Sequence, residues 1–157
     1  MKKIVVYVFT ILIPLAVGAL SGFLSSPGMK EYTATAVKPP LSPPDWLFPV
    51  VWSIIYILLG ISLGIVLNKK TVAKDAKFIT VAFFGLNLAI NFLWSIWFFV
   101  FNLYTFSFIW ILLLIASTII LAMAFYSSSK IAGLLQIPYV LWLIFAAYLN
   151  LAVSILN

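Results

Sequence analysis

The sequence predicts an all-α membrane protein, folded as a bundle of five transmembrane helices. Of its 157 residues, 66% are hydrophobic and only 8% are charged, too few charges to cover the surface of a water-soluble domain. Apolar runs long enough to cross a bilayer recur along the chain, and lysines collect at their ends. Because backbone groups in lipid must bond within the chain, we expect these runs to be helices.

Five apolar runs define the expected helices. They cover residues 4–24, 46–68, 78–101, 105–126 and 131–154. The block from 78 to 126 is too long for one crossing, and Asn102 to Thr105 is its least apolar place for a turn. Little of the chain is left for anything else, so we expect residues 1–157 to form a single transmembrane domain.

The first run has two interpretations. Lys2 and Lys3, an apolar stretch and then small residues are typical of a secretory signal. However, the stretch from Ile4 to Leu24 is long enough to span a membrane. Its length favours a helix that is retained.

The lysines predict the orientation of the bundle. With five spans, one side carries seven of them: Lys2, Lys3, Lys69, Lys70, Lys74, Lys77 and Lys130. The other side carries Lys30 and Lys38 in the first loop. Since lysines concentrate in cytoplasmic loops, we expect the N-terminus inside and the C-terminus outside. The regular distribution supports the span count, because removing one span would destroy it.

Composition also excludes several kinds of chemistry. The chain has no cysteine and no histidine, so it lacks disulfides, thiolate metal sites, the usual haem ligand and the usual general base. No charged residue lies inside an expected span, which argues against a proton- or ion-coupled transporter. We expect no metal, no cofactor and no nucleic acid. A bacterial cytoplasmic membrane fits this composition, with an organellar membrane as the alternative.

The segment KPPLSPPDWLFPVVW, residues 38–52, leads into the second helix. Four prolines precede that helix and stiffen the loop: Pro39, Pro40, Pro43 and Pro44. Asp45 is placed to cap the helix, and Pro49 falls near the first turn, where a missing N–H costs little. The loop is either a rigid lid over the mouth of the bundle or a tight interfacial loop anchored by Trp46.

Polar and aromatic side chains share one face on each of three helices. Trp52 and Tyr56 are four residues apart on the second. The corresponding stripes on the third and fifth are Asn87, Asn91, Trp94 and Ser95, and Trp142, Phe145, Ala146, Leu149 and Asn150. Hydrogen bonding to another helix explains each asparagine equally well. Together, however, the stripes favour a flat aromatic cavity with a few polar groups.

Two helices carry glycines at a spacing that permits close helix contact. These are Gly18 and Gly22 on the first helix, and Gly60 and Gly64 on the second. The spacing is consistent with packing inside the bundle or with a seam between two copies.

In this order, the segments resemble the TspO/MBR family, which comprises the tryptophan-rich sensory proteins and translocator proteins, or peripheral-type benzodiazepine receptors. The matching elements are Tyr32, KPP (38–40), PP (43–44), FPVVW (48–52) with Tyr56, NFLWSIWFF (91–99), and PYVLWLIFAAYLN (138–150) with Asn157. They fall in the first loop and on three of the five expected helices. Each piece is weak alone, and the ordered set is specific.

The resemblance implies a five-helix bundle, a homodimer and a pocket under the first loop. It implies ligands such as protoporphyrin IX and synthetic benzodiazepine-type compounds. The ligand-binding candidates it implies are Tyr32, Lys38, Pro43, Trp52, Tyr56, Asn91, Trp94, Trp142, Phe145, Ala146 and Leu149. Sterols are ligands of the animal members, but the sterol pattern needs a basic residue after a tyrosine, and none follows Tyr148.

Three functions follow as hypotheses. The first is an integral membrane receptor or sensor for tetrapyrroles, whose flat rings Trp52, Trp94 and Trp142 would stack on or clamp. In this hypothesis Lys38 or Lys30 would meet the propionates, and a metal-free ring fits better than haem. The second is light-dependent protoporphyrin degradation, reported for some bacterial members, with Trp142 and Trp52 as catalytic candidates. The third is passive transport of porphyrins or other lipophilic molecules.

Overall fold

The computed structural model describes residues 2–157, which form six α-helices and one π-helical turn. The elements are α1 (Lys3–Thr35), α2 (Leu47–Asn68), α3 (Lys74–Ser95), the π-helical turn (Ile96–Val100), α4 (Tyr104–Ser128), α5 (Lys130–Leu134) and α6 (Ile137–Leu156). Five stretches are long and apolar enough to cross a membrane, with the π-helical turn extending α3 and with α5 and α6 sharing the last stretch. The prediction of a five-helix all-α membrane fold is confirmed.

The outer surface of the bundle is apolar. Ile4, Phe9 and Phe23 on α1 are exposed, as are Ile109 and Met123 on α4. In water such a surface would drive aggregation, whereas in a bilayer it is covered by acyl chains. The exposed faces of the helices are therefore the lipid-contacting faces.

The core is organised around one face of α4. Its buried residues are Ser107, Ile111, Leu114, Thr118, Leu121 and Phe125. They recur at spacings of three and four, which places them along one stripe of the helix. α4 packs most extensively against α3 and α6, whereas α1 packs most extensively against α2.

At the end of the bundle where the chain starts, α1 lies directly on α2. The backbone of α1 at Thr10 and Ile11 passes so close to Gly60 that an added Cβ would overlap it. Gly64 meets the ring of Tyr7 in the same way. The α2 glycines therefore serve packing inside the bundle, which settles the alternative left open by their spacing.

Further along, α1 leaves α2 and lies on α3. The hydroxyls of Ser25 and Ser95 are hydrogen-bonded at 2.7 Å. Gly28 then packs against the carbonyl of Phe99 in the π-helical turn, where a Cβ would overlap the oxygen. Thus α1 runs diagonally across the bundle, from α2 at one end to α3 at the other.

The helix bounds differ from those expected most clearly in α1 and in the fifth span, and α3 begins at Lys74 rather than at Phe78. α1 continues past Leu24 to Thr35, because the contacts of Ser25 and Gly28 with α3 hold its polar last turns in place. The fifth span is broken after Leu134, since Pro138 has no N–H to donate to that carbonyl. Lys30 consequently lies on a helix, and the connection from α1 to α2 shrinks to residues 36–46.

The termini and loops that carry the seven lysines contact one another at one end of the bundle. The side-chain amide of Asn68 donates to the carbonyl of Lys3 at 3.3 Å. The ammonium of Lys69 donates to the carbonyl of Ser128 at 2.8 Å, at the C-terminus of α4. We call this the lysine-rich end. That it faces the cytoplasm stays a prediction.

Candidate ligand cavity

A cavity of about 690 Å³ lies at the opposite end, between α1, α2, α3 and α6 and under the connection 36–46. We call this connection the lid. The volume falls within the range of small-molecule sites, roughly 300–1,000 Å³. The cavity exists because α1 has moved across to α3 at this level and leaves room beside α2.

Aromatic rings form one wall of the cavity. Trp52 stacks on Tyr56 with ring centroids 5.7 Å apart, and Trp94 lies 6.4 Å from Trp52. Trp94 stacks in turn on Phe98 at 5.6 Å. Its indole N–H donates to the Asn150 side-chain oxygen at 2.9 Å, which fixes the orientation of the ring. The wall is a set of π-faces suited to a flat apolar molecule.

A chain of hydrogen bonds forms the floor. The Tyr56 hydroxyl donates to Asn91 Oδ1 at 3.0 Å, and Asn91 Nδ2 donates to the Tyr139 hydroxyl at 2.8 Å. Tyr139 donates to Asn87 Oδ1 at 3.1 Å, and Asn87 Nδ2 donates to Thr118 Oγ1 at 2.9 Å. Asn87 and Asn91 therefore link helices, the alternative that each asparagine allowed. Tyr56 and Asn91 also face the cavity.

Opposite charges meet at the mouth. Lys38 Nζ and Asp45 Oδ1 form a salt bridge at 3.0 Å, and both residues line the cavity. The prediction that Asp45 caps the second helix is wrong, because the helix starts after Trp46 without a side-chain cap. The amide of Leu47 instead donates to the carbonyl of Pro44. The Asp45 carboxylate is thereby left to pair with the lysine.

The lid is tied to the end of α6. The Asn157 side chain accepts from the Val37 amide at 2.8 Å and donates to its carbonyl at 3.1 Å. The Tyr148 hydroxyl donates to the carbonyl of Pro40 at 2.9 Å. The next residue, Leu41, has φ 66° and is 80% exposed. With Pro40 before it, Leu41 occupies the turn position that glycine normally fills.

The π-helical turn completes the wall on the α3 side. Phe98 and Phe99 are adjacent in sequence and both line the cavity. Tyr32 on α1 contacts their rings edge-on, at 5.4 and 5.7 Å. Sequence reasoning missed both phenylalanines, because no local pattern signals a π-helical turn. Such turns recur at functional sites.

The structure places nine of the eleven candidate ligand-binding residues on this cavity: Tyr32, Lys38, Pro43, Trp52, Tyr56, Asn91, Trp94, Ala146 and Leu149. Trp142 and Phe145 do not line it. Phe48, in the first turn of α2, lines the cavity and packs edge-on against Trp142 at 5.7 Å. Trp142 therefore lies one side chain away from the cavity. Phe145 packs against Trp142 and Tyr148.

Small residues on α1 also line the cavity and were not among the candidates. They include Ser21 and Gly22, and the space beside Gly22 is open for 4 Å around an added Cβ. The available signal was the spacing of Gly18 and Gly22, which indicates a close approach of two helices rather than an empty space.

Comparison with known proteins gives a consistent result. The family model described as "TspO/MBR family" matches residues 10–156. The "Tryptophan-rich protein TspO" of Chlorobaculum tepidum is 38% identical over 157 residues, covering 99% of this chain and 98% of that protein. The protein of that name from Archaeoglobus fulgidus is 35% identical, covering 96% and 95%. The "Translocator protein" of Ovis aries is 29% identical, covering 82% and 75%.

Proposed function

The chain belongs to the TspO/MBR family, and on that premise we propose that it is a membrane receptor whose cavity binds tetrapyrroles such as protoporphyrin IX, or similar flat lipophilic molecules. The names of its relatives support a sensor or translocator role in a membrane. The observation that supports tetrapyrrole binding is the wall of stacked rings along a cavity of about 690 Å³. In this wall Trp52 stacks with Tyr56, and Trp94 stacks with Phe98.

The distribution of polar groups matches the chemistry of a metal-free tetrapyrrole. The ring faces of such a molecule are apolar and would lie against Trp52 and Trp94. Its propionates are anionic and would turn toward Lys38 at the mouth. Lys38 is already paired with Asp45 at 3.0 Å, so a propionate would compete with that carboxylate. We therefore expect binding of the dianion to weaken as salt concentration rises.

A dark titration of detergent-purified protein with protoporphyrin IX tests the proposal, with porphyrin fluorescence anisotropy as the signal. Trp94→Phe removes part of the wall and the hydrogen bond to Asn150, and we expect it to weaken binding about tenfold. Trp142→Phe is the matched control and should bind as the wild type does, since Trp142 is outside the cavity. Non-saturable binding that neither variant changes would mean partitioning into the micelle and would contradict the proposal.

Light-dependent porphyrin degradation is a second candidate, because the redox-active rings of Trp52 and Tyr56 are stacked at the cavity wall. If the protein assists this chemistry, Trp52→Phe should slow the light-dependent loss of porphyrin absorbance while the porphyrin stays bound. Equal loss in Trp52→Phe, Trp142→Phe and wild type would contradict it.

Passive transport of porphyrins or other lipophilic molecules is a third candidate. Uptake of porphyrin into proteoliposomes, above the rate of empty liposomes, would favour a transporter over a receptor. A homodimer is implied by the family resemblance and is tested by the mass of the purified protein.

A further inference from the structure

A second void lies at the lysine-rich end, on the outer surface of the bundle. It is an open groove of about 1,170 Å³ between α1, α2 and α3. Its walls are apolar and include Val6, Ile13, Leu63, Phe84, Leu88 and Phe92. The groove shares no lining residue with the ligand cavity. It exists because α1 lies on α2 at this level and leaves a gap toward α3.

The groove has the length of one leaflet. On α1 its lining runs from Val6 to Val17, a rise of about 16 Å at 1.5 Å per residue. The hydrocarbon core of a bilayer is about 30 Å thick, so this is about half of it. An acyl chain of the leaflet at the lysine-rich end would therefore run along the groove for its full depth.

Lysines stand at the rim of the groove. Lys77 is one helical turn before Val81, a lining residue, and its ammonium donates to the carbonyl of Leu67, another lining residue, at 2.9 Å. Lys74 lies one turn further out on the same face of α3, and Lys3 lies three residues before Val6 on α1. Lys3 and Lys74 are both exposed.

Charge at this end is almost all positive. Asp75 is the only acidic residue of the lysine-rich end, because the other two acids, Glu31 and Asp45, lie near the lid. An apolar groove one leaflet deep with cations at its headgroup end is complementary to an anionic lipid. A second copy related by a twofold axis would instead bring its own lysines to the same place, where like charges repel.

We propose that the groove binds one anionic phospholipid. One acyl chain lies between α1 and α3, and the phosphate lies between Lys3 and Lys74. Lys77 is already bonded to Leu67 and adds its charge at the rim. The site is independent of the tetrapyrrole cavity and does not need that proposal to hold.

Native mass spectrometry of the detergent-purified chain tests this site, with dioleoylphosphatidylglycerol as the probe and dioleoylphosphatidylcholine as the neutral comparison. We expect one saturable phosphatidylglycerol per chain, bound at least tenfold more tightly than phosphatidylcholine. In the double variant Lys3→Gln, Lys74→Gln the affinity for phosphatidylglycerol should fall about fivefold per lysine, with phosphatidylcholine unchanged. Lys130→Gln, at the same end but on α5, is the control and should change neither affinity.

A steric variant tests the groove without touching charge. Gly85 lines the groove, and nothing lies within 4 Å of a Cβ added to it, so the side chain of Gly85→Leu starts from open space and occupies part of the groove. We expect at least tenfold weaker phosphatidylglycerol binding in Gly85→Leu. Gly22→Leu, at an equally open glycine that lines the cavity instead, should bind phosphatidylglycerol as the wild type does.

Three results would overturn the proposal. The first is equal affinity for the two lipids in the wild type. The second is unchanged phosphatidylglycerol binding in Gly85→Leu. The third is a dimer that Gly85→Leu converts to a monomer while lipid binding is unchanged, which would assign the groove to a second copy of the chain.

Discussion

The ligand cavity and the groove lie toward opposite ends of α1 and differ in polarity and in exposure. The cavity is covered by the lid and has polar groups at its floor and mouth, including Asn91 and Lys38. The groove is open and apolar, and its one hydroxyl, Thr10, is already bonded to the Tyr7 carbonyl. Both voids result from the diagonal course of α1. Helix packing therefore creates the space of both voids, whereas the polar groups and the covering segment decide which ligands each void can select.

The largest effect is expected where α1 meets the π-helical turn. Gly28→Val would place a side chain on the carbonyl of Phe99, and since backbone cannot move aside cheaply, we expect a loss of about 3 kcal/mol in stability. Thermal unfolding followed by near-ultraviolet circular dichroism measures it. Gly85→Val, in the open groove, should stay within about 0.5 kcal/mol of wild type. Equal losses in the two variants would contradict the diagonal course of α1.

The floor of the cavity should be the next most sensitive place. Asn91→Leu leaves the Tyr56 hydroxyl without its acceptor and removes the bond that the Tyr139 hydroxyl accepts, while Tyr139 still donates to Asn87. We expect a loss of about 2 kcal/mol. Tyr56→Phe removes only one of these bonds and should cost about 1 kcal/mol. The same unfolding measurement compares them. An Asn91→Leu protein as stable as the wild type would show that the chain of hydrogen bonds does not hold α2, α3 and α6 together.

The tie between the lid and α6 should control release of ligand more than stability. Asn157→Ala removes both bonds to Val37, worth about 1 kcal/mol together at an exposed site. We expect protoporphyrin IX to dissociate about fivefold faster in stopped-flow dilution. Ser154→Ala, one turn earlier on α6, bonds only to its own helix and should leave the rate unchanged. Identical rates in all three proteins would mean that the lid does not gate the cavity.

The smallest effect is expected at the tip of the lid. Leu41 adopts φ 66°, a conformation that costs a non-glycine residue roughly 1 kcal/mol. Leu41→Gly should therefore raise the free energy of unfolding by about 0.5 kcal/mol, after the greater entropy of glycine in the unfolded chain is subtracted. A lower melting temperature in Leu41→Gly would show that the Leu41 side chain itself makes a stabilising contact.

Much of the fold could be predicted from the sequence because a bilayer imposes strong rules. Span length and lysine position gave five helices and brought Lys3, Lys69 and Lys130 to one end. Tertiary contacts decided the rest. α1 extends to Thr35 because residues far along the chain support its polar turns, which hydropathy alone cannot anticipate.

Part of the cavity could be predicted from the helical spacing of its residues. Helical spacing places Trp52 and Tyr56 on one face of α2 and Asn91 and Trp94 on one face of α3. All four residues line the cavity. Spacing cannot show which ring stands in front of another. Phe48 lies between the cavity and Trp142, and Asp45 pairs with Lys38 instead of capping α2. Both outcomes depend on contacts between segments rather than on local pattern.

A matched pair of glycine variants tests most directly that the two voids are separate sites and that the cavity holds the tetrapyrrole. Protoporphyrin IX is titrated in the dark against wild type, Gly22→Leu and Gly85→Leu, each glycine having open space around it. We predict that Gly22→Leu weakens binding at least tenfold and that Gly85→Leu does not change it. If Gly85→Leu weakened binding and Gly22→Leu left it unchanged, the tetrapyrrole would bind in the groove, which would contradict its assignment to the cavity.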